Sequence, residues 1–205
     1  MSKNAATIGA WNQRYEDSYE ISFRFCCGID SIHVFRAERF VAGDRTAPLG
    51  NVQLAIYRSF TSAYNDGSET PLNVANITEP FAPADDDRKG CLKMFPATHI
   101  SVVHRFSADS FNGLKVHLVD PRLHEKRDPS DAISKGEPVD DAVKAGFASA
   151  IFTFSEIVFN PEHNRAAFTY SFVCGGLCGN GGTVIYKLTN GKWSQEKDTC
   201  ARWVS

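Results

Sequence analysis

The sequence predicts an α+β fold, with an antiparallel β-sheet that ends in a C-terminal meander at about residues 152–197 and two main helices at about residues 50–64 and 138–150. Along 165–173, Ala166, Phe168, Tyr170 and Phe172 alternate with Ala167, Thr169, Ser171 and Val173, which is typical of a half-buried strand. Asn190-Gly191, between two further strand-like segments, is the strongest short hairpin signal. Apolar residues at helical spacing indicate the two helices.

The elements follow in chain order. Alternation at residues 19–27 predicts a half-buried strand, and a turn after Gly28 predicts a hairpin with residues 32–40. The first helix ends at Asn65-Asp66-Gly67, since glycine is common just past a helix end. The expected apolar stripes are Val52, Ile56 and Phe60 in the first helix, and Val139, Val143, Phe147 and Ile151 along the second.

A long irregular connection is expected at residues 68–98, because this segment contains four prolines and the acidic run Asp85-Asp86-Asp87. So long a segment needs an apolar anchor to be ordered. We therefore expect it to be anchored to the sheet by Cys91, Leu92, Met94 and Phe95.

Residues 100–106 and 114–120 are expected to form a pair of strands. Asp120-Pro121 and Asp128-Pro129 each place a capping carboxylate before a proline, which predicts the start of a short helix. The predicted meander consists of strands at 152–159, 165–173, 183–188 and 192–197, and Trp203 is expected to pack under it.

Length and charge limit the class of protein. A chain of 205 residues fits a single globular domain over 1–205, with the first ~15 residues read as a flexible extension. The net charge of −2 offers no basic footprint for nucleic acid, and no apolar stretch is long enough for a membrane span. The first residues lack the apolar core of a signal peptide. The protein is therefore expected to be extracytoplasmic if a leader has been removed, and cytoplasmic otherwise.

Six cysteines raise the question of redox state. One interpretation is that most of them are small buried hydrophobic residues, and the other is a partial set of disulfides. The disulfide candidates are Cys174, Cys178, Cys91 and Cys200.

The segment from Cys174 to Gly182 contains five glycines in nine residues. They could provide a wide turn with positive φ angles, a nest of N–H groups for an anion, or room for a partner to approach closely. We expect an ordered hairpin connection in which Cys174 and Cys178 are close enough to bridge. The candidate ligand or partner loop consists of Cys174, Gly175, Gly176, Cys178, Gly179, Asn180 and Gly181.

Catalytic candidates are few. They are Cys178 as a thiolate, and a carboxylate–imidazole couple of Glu156 with His163 across a turn. His104 and His117 could also face each other on the predicted strand pair. Cys174, Cys178, Cys200 and His163 could in principle form a zinc site, but the three-residue gap between Cys174 and Cys178 is unusual for zinc, and we expect neither metal nor cofactor.

Two short segments resemble known families. Cys178-Gly179-Asn180-Gly181 resembles the thiol motif of diaminopimelate epimerase and related racemases, which implies that Cys178 would remove an α-proton. Those enzymes use two such cysteine loops, and this sequence has no second one. The last hairpin is similar to the end of NTF2-like domains, although the helix order differs.

A broader likeness involves several segments near the end of the chain. They resemble an uncharacterised group of bacterial proteins, a likeness that implies no activity. The segments that carry it are Phe154–Asn160, His163, Tyr170–Gly181 and Trp203–Ser205.

Three functions remain as hypotheses. The first is a non-enzymatic binding or interaction module for a small ligand or a protein partner that the sequence does not identify. The second is a thiol-dependent enzyme that uses the Cys174–Gly182 segment. The third is an immunity-type or structural partner protein. The sequence favours the first, because no motif in it demands a particular chemistry.

Overall fold

The structure, a computed structural model, describes residues 47–96, 102–197 and 200–205, all within a compact unit that spans residues 42–205. The predicted hairpin at 19–40 and the predicted flexible extension lie outside the described residues, and the single domain over 1–205 stays a prediction. Within the described ranges, no helix has the length and apolar character needed to cross a membrane.

The described elements confirm the α+β class. The helices are α1 (Asn51–Tyr64), α2 (Asp85–Lys89), α3 (Pro129–Ser134) and α4 (Val139–Ser149). The strands are β1 (Ala47–Pro48), β2 (Leu72–Ala75), β3 (His104–Arg105), β4 (Val116–Val119), β5 (Ile151–Phe154), β6 (Val158–Phe159), β7 (Arg165–Gly175), β8 (Cys178–Thr189), β9 (Lys192–Gln195) and β10 (Arg202–Val204).

The main sheet is mixed, so the expectation of an antiparallel sheet holds only in part. Its strand order is β10-β8-β7-β5-β2-β4, with β6 paired to β7 and β9 paired to β8. Strand β2 runs parallel to both β4 and β5. It lies in the segment predicted to be an irregular connection. With only four residues, of which Leu72, Val74 and Ala75 are buried, this strand is too short to give a clear alternation, which explains why the pattern missed it.

The C-terminal strands follow the predicted order with one break. Strands β5, β7, β8 and β9 pair antiparallel in sequence, and φ is 52° at Asn190 and 76° at Gly191, as a tight hairpin requires. The predicted strand at 152–159 is interrupted between β5 and β6. At the break, the Ser155 carbonyl accepts a hydrogen bond from the Tyr57 hydroxyl at 2.7 Å.

Helix α1 covers one face of this sheet, the helix face. Its buried side chains, Ile56, Tyr57, Phe60 and Thr61, confirm most of the predicted stripe, although Val52 is exposed. Tyr57 and Phe60 pack into an aromatic core: their ring centroids lie 4.8 Å from Phe154 and 4.9 Å from Tyr170, respectively. The edge-to-face and tilted geometries stabilise the core beyond the area that it buries.

The opposite face, here called the cleft face, is covered at one end by the segment that follows β2. Leu92 and Phe95 are buried there against Val158, Ala167 and Ile185. The predicted anchoring of this segment is therefore confirmed, although Met94 is exposed. Cys91 pairs with Cys200 at a Cα–Cα distance of 5.5 Å, which ties the segment to the C-terminal end of the chain.

Two further expectations need correction. Strands β3 and β4 do not pair with each other, because β3 pairs with β1 and β4 with β2. Asp128 caps α3 as predicted, with its carboxylate accepting from the Ser130 N–H at 2.9 Å, but Asp120 starts a turn and no helix.

Helix α4 forms where it was predicted but buries a different face. Val139, Val143 and Phe147, the first three residues of the predicted stripe, are all exposed, and Ile151 belongs to β5. The buried residues are Ala142 and Gly146. A Cβ at Gly146 would collide with Pro129 of α3, so the two helices meet through small residues.

Candidate functional site

The glycine-rich segment is a hairpin of two long strands. Strand β7 runs to Gly175, a turn occupies Gly176 and Leu177, and β8 begins at Cys178. Cys174 and Cys178 are paired, with their Cα atoms 5.2 Å apart, as expected for this segment. The turn is therefore shorter than predicted, and most residues of the candidate loop belong to strands.

Close contacts, not positive φ angles, explain the glycines of this hairpin, since none of them has a positive φ. Gly175 and Gly176 lie against Asp128, whose carboxylate accepts from the Gly176 N–H at 2.6 Å. That hydrogen bond is the main reason that the pKa of Asp128 is lowered. On the far side, Gly182 lies against the backbone of β10: an added Cβ would be 2.8 Å from the Ala201 carbonyl oxygen.

Gly181 makes room for the side chain of Trp203. An added Cβ would be 2.6 Å from Cε2 and Cζ2 of the indole and 2.5 Å from the Tyr170 carbonyl oxygen. A Cβ at Gly179 would lie 3.3 Å from Cζ3 of the same ring. The indole thus lies along the β8 backbone over both glycines. Trp203 therefore packs against a strand of the meander, as expected, but remains 43% exposed.

Beside Trp203, an open cleft of about 470 Å³ lies on the cleft face. Hydroxyl side chains from three neighbouring strands form its floor. They are Thr153 and Ser155 at β5, Thr169 and Ser171 of β7, and Thr183 of β8. Cross-strand register places Thr153 opposite Ser171, Ser171 opposite Gly181, and Gly181 opposite Trp203, so these positions share one face.

The floor hydroxyls are held in place and keep hydrogen-bonding capacity. Thr153 and Ser171 share a hydrogen bond of 2.8 Å, and Thr183 donates to Asp87 at 2.6 Å. Ser155 donates to the Glu156 carbonyl and accepts from the Thr169 N–H. A hydroxyl offers one donor and two acceptor positions, so Thr153, Ser171 and Thr183 each keep at least one position that these bonds do not use, whereas Ser155 is buried and serves to order the floor.

The walls of the cleft come from Glu79, the segment 82–84 and Asp87 on one side and β10 on the other. Asp87 is buried, and its second carboxylate oxygen accepts from the Ala201 N–H at 3.2 Å. Asp87 therefore joins the α2 wall to both the floor and β10. The Cys91–Cys200 disulfide reinforces the same junction.

Glu79 is the carboxylate that projects into the cleft with more than a third of its surface exposed. Partial loss of hydration at the carboxyl group raises its pKa. No side-chain hydrogen bond of Glu79 is seen among the described residues. A ligand hydroxyl placed beside Glu79 would donate a hydrogen bond to its carboxylate.

A second polar cluster, separate from the cleft lining, surrounds Glu156. This carboxylate is 1% exposed and accepts hydrogen bonds from the Thr78 hydroxyl and from the His104 backbone N–H at 2.9 Å. Its other oxygen lies 2.7 Å from Nδ1 of His104. The expected couple of Glu156 with His163 is therefore corrected, because the partner of Glu156 is His104. His163 is exposed in the turn after β6 and stacks on Phe159.

The other candidate residues also have defined partners or positions. Cys178 is bonded to Cys174 and holds no free thiolate in this state. His117 lies exposed on β4, which does not pair with the strand of His104. The four candidate zinc ligands do not come together, because Cys200 pairs with Cys91 and Cys178 pairs with Cys174. Asp87, Cys91 and Cys200 bring possible ligand atoms within 4.8 Å, but both sulfurs are already bonded.

Sequence reasoning missed the floor of the cleft, although a signal for it existed. Thr169 and Ser171 alternate with the core residues of β7, and Thr153 and Ser155 do the same along β5. Hydroxyls at alternate positions of two adjacent strands indicate one polar sheet face. Glu79 and Trp203 reach this face only through tertiary structure, and nothing in their local sequence predicts it.

No protein-family model, no curated protein and no solved structure matches this chain. The likenesses noted from the sequence therefore stay hypotheses.

Proposed function

We propose that this protein is a binding module that holds a small polar ligand in the cleft beside Trp203. The carrying observation is the floor of five hydroxyl side chains from three strands, left open between two fixed walls. A sheet face with no binding role is commonly covered by apolar packing or fully exposed to solvent. A concave site of a few hundred Å³ with convergent polar groups and an aromatic side chain is typical of small-molecule binding.

The rigidity of the cleft supports the proposal. Its floor is fixed by the Thr153–Ser171 hydrogen bond, and its α2 wall by Asp87 and the Cys91–Cys200 disulfide. A site that is already ordered loses little conformational entropy when a ligand binds. Two cysteine pairs at disulfide distance also favour an oxidising, extracytoplasmic setting.

The disulfide state argues against a thiol-dependent enzyme. Nucleophilic or base catalysis by cysteine requires a thiolate. Cys178 is bonded to Cys174, and Cys174 is fully buried. The hairpin therefore serves to position Trp203 and Asp128 rather than to react.

Binding can be tested by protein-observed NMR with a library of neutral sugars, amino acids, organic cations and phosphates. The proposal predicts that at least one compound shifts the amide signals of Thr153, Thr169 and Thr183 together. Thr169→Phe should abolish that response, because the larger side chain fills the floor. Thr189→Phe is the matched control, since it adds the same ring to an exposed position of β8 outside the cleft.

The proposal is contradicted if no compound shifts the three amides, or if shifts occur but Thr169→Phe and Thr189→Phe respond alike. Both variants are first checked by their amide spectra, so that loss of binding is distinguished from loss of fold.

A further inference from the structure

We infer that the ligand class is a neutral saccharide, with one sugar ring stacked on the indole of Trp203 and its hydroxyls bonded to the cleft floor. This inference rests on the proposed function. Because Gly179 and Gly181 have no side chains, the indole lies directly on the backbone of β8. Nearly half of the residue stays exposed at the edge of the cleft. The apolar C–H face of a sugar ring is suited to such a platform.

The floor matches the edge of a sugar ring, which presents several hydroxyls that both donate and accept. Thr153 and Ser171 share one hydrogen bond, so the pair keeps one donor and several acceptor positions. Thr183 donates its hydroxyl hydrogen to Asp87 and keeps only acceptor positions. The Glu79 carboxylate accepts only, and carboxylates form the stronger, charge-assisted hydrogen bonds with ligand hydroxyls. Together these groups form an array of mixed donors and acceptors.

The charges of the lining argue against an anionic ligand. Two carboxylates, Glu79 and Asp87, contribute to the cleft, against one cation, Arg202. Strand alternation directs the Arg202 side chain toward the helix face, since its cross-strand partner Gly182 lies opposite Tyr170. A phosphate or carboxylate ligand would thus meet the negative groups without a cation on the floor.

The charges are also less suited to an organic cation. Quaternary ammonium ligands are typically bound in cages of several aromatic rings, and the described lining supplies one indole, with Tyr170 directed into the core. The two oxygens of Asp87 are directed to protein donors, the Thr183 hydroxyl and the Ala201 N–H, although its negative charge still disfavours an anion. A neutral ligand with many hydroxyls fits this combination best.

The test titrates the intact, oxidised protein with glucose, galactose, N-acetylglucosamine, maltose and cellobiose, and in parallel with choline and inorganic phosphate. Amide shifts of Thr169 and Thr183 report binding in the cleft. The inference predicts that at least one saccharide binds there. Trp203→Ala should weaken it about tenfold or more by removing the stacked apolar area, and Trp203→Phe should weaken it less. Val204→Ala is the control in the same strand, because Val204 is 84% exposed and outside the cleft.

The outcomes separate the two claims. If choline or phosphate shifts the cleft amides and no saccharide does, the saccharide inference is overturned and the binding module stands. If no probe and no library compound reaches the cleft, both fail. If a saccharide binds Trp203→Ala, Trp203→Phe and the wild type with equal affinity, the proposed stacking on Trp203 is wrong.

Discussion

At the scale of single residues, close contacts decide which side chains this hairpin tolerates. Gly176 and Gly181 both lie in the same glycine-rich segment, and a sequence pattern cannot tell them apart. In the structure, a Cβ at Gly176 would have its nearest neighbour, an Asp128 carboxylate oxygen, at 3.5 Å, which is an ordinary contact. At Gly181 it would meet the Tyr170 carbonyl oxygen at 2.5 Å and the Trp203 ring at 2.6 Å.

We therefore expect Gly181→Ala to lower the free energy of unfolding by about 1–3 kcal/mol, the usual cost of overpacking. Gly176→Ala should change it by less than about 0.5 kcal/mol. Urea unfolding of both variants measures the difference. Equal stabilities would contradict the placement of Trp203 over Gly181.

The carboxylate of Glu156 is the second residue whose identity depends on distant contacts. Both of its oxygens accept hydrogen bonds or face a ring nitrogen, and the side chain is buried. Glu156→Gln keeps the shape but places an NH₂ group where an oxygen was bonded. We expect a loss of about 1–3 kcal/mol in the free energy of unfolding, the cost of leaving a buried polar group without a partner.

Glu125→Gln is the matched control, because Glu125 is exposed, and it should change stability by less than about 0.5 kcal/mol. Thermal unfolding of both variants and of the wild type at one pH measures these changes in stability. A variant Glu156→Gln as stable as Glu125→Gln would show that the cluster with His104 and Thr78 does not form.

At the scale of elements, the two disulfides do different work. Cys91–Cys200 closes a sequence separation of 109 residues and ties the α2 segment to β10. Cys174–Cys178 closes a separation of 4 residues inside one hairpin. If disulfides act mainly by restricting the unfolded chain, the longer loop contributes more.

The double variant Cys91→Ser/Cys200→Ser is therefore expected to lose about 4–5 kcal/mol of stability, and Cys174→Ser/Cys178→Ser about 2 kcal/mol. Chemical unfolding under non-reducing conditions compares them. The first variant should also weaken any ligand of the cleft, because its α2 wall is released. A larger loss of stability in Cys174→Ser/Cys178→Ser than in Cys91→Ser/Cys200→Ser would contradict the larger contribution of the longer loop.

Helix α4 shows how an element can be predicted in position but not in orientation. Its apolar stripe Val139, Val143 and Phe147 has helical spacing and still remains exposed. The buried face is the one with Ala142 and Gly146, because only small residues allow α3 to approach so closely. Periodicity identifies a helix, whereas the shape of its neighbour decides which face is buried.

At the scale of the whole molecule, local signals predicted local structure well. The strand at 165–173, the Asn190-Gly191 hairpin and the Asp128 cap are set by neighbours within a few residues, so the sequence alone was sufficient. Strand β2 was missed because it is short and buried between parallel strands. The Glu156–His104 contact joins residues 52 positions apart, and no local pattern reports such a pairing.

The cleft belongs to the same scale, because its parts come from distant regions of the chain. Its floor comes from β5, β7 and β8, one wall from residues 79–87 and the other from β10. The glycines that drew attention in the sequence do contribute, but by letting Trp203 lie on the strand. The sequence left three roles open for these glycines, and the close approach of a side chain from the same chain was not among them.

The most direct test of the account is ¹⁹F NMR of protein labelled with 5-fluorotryptophan, titrated with the saccharide that binds best. The chain contains three tryptophans, Trp11, Trp193 and Trp203, which single Trp→Phe variants assign. We expect saccharide to shift the Trp203 signal in a saturable way and to leave Trp193 unchanged, and we expect it to shift neither signal in Thr169→Phe. A saturable shift of Trp193 with no change at Trp203 would contradict it.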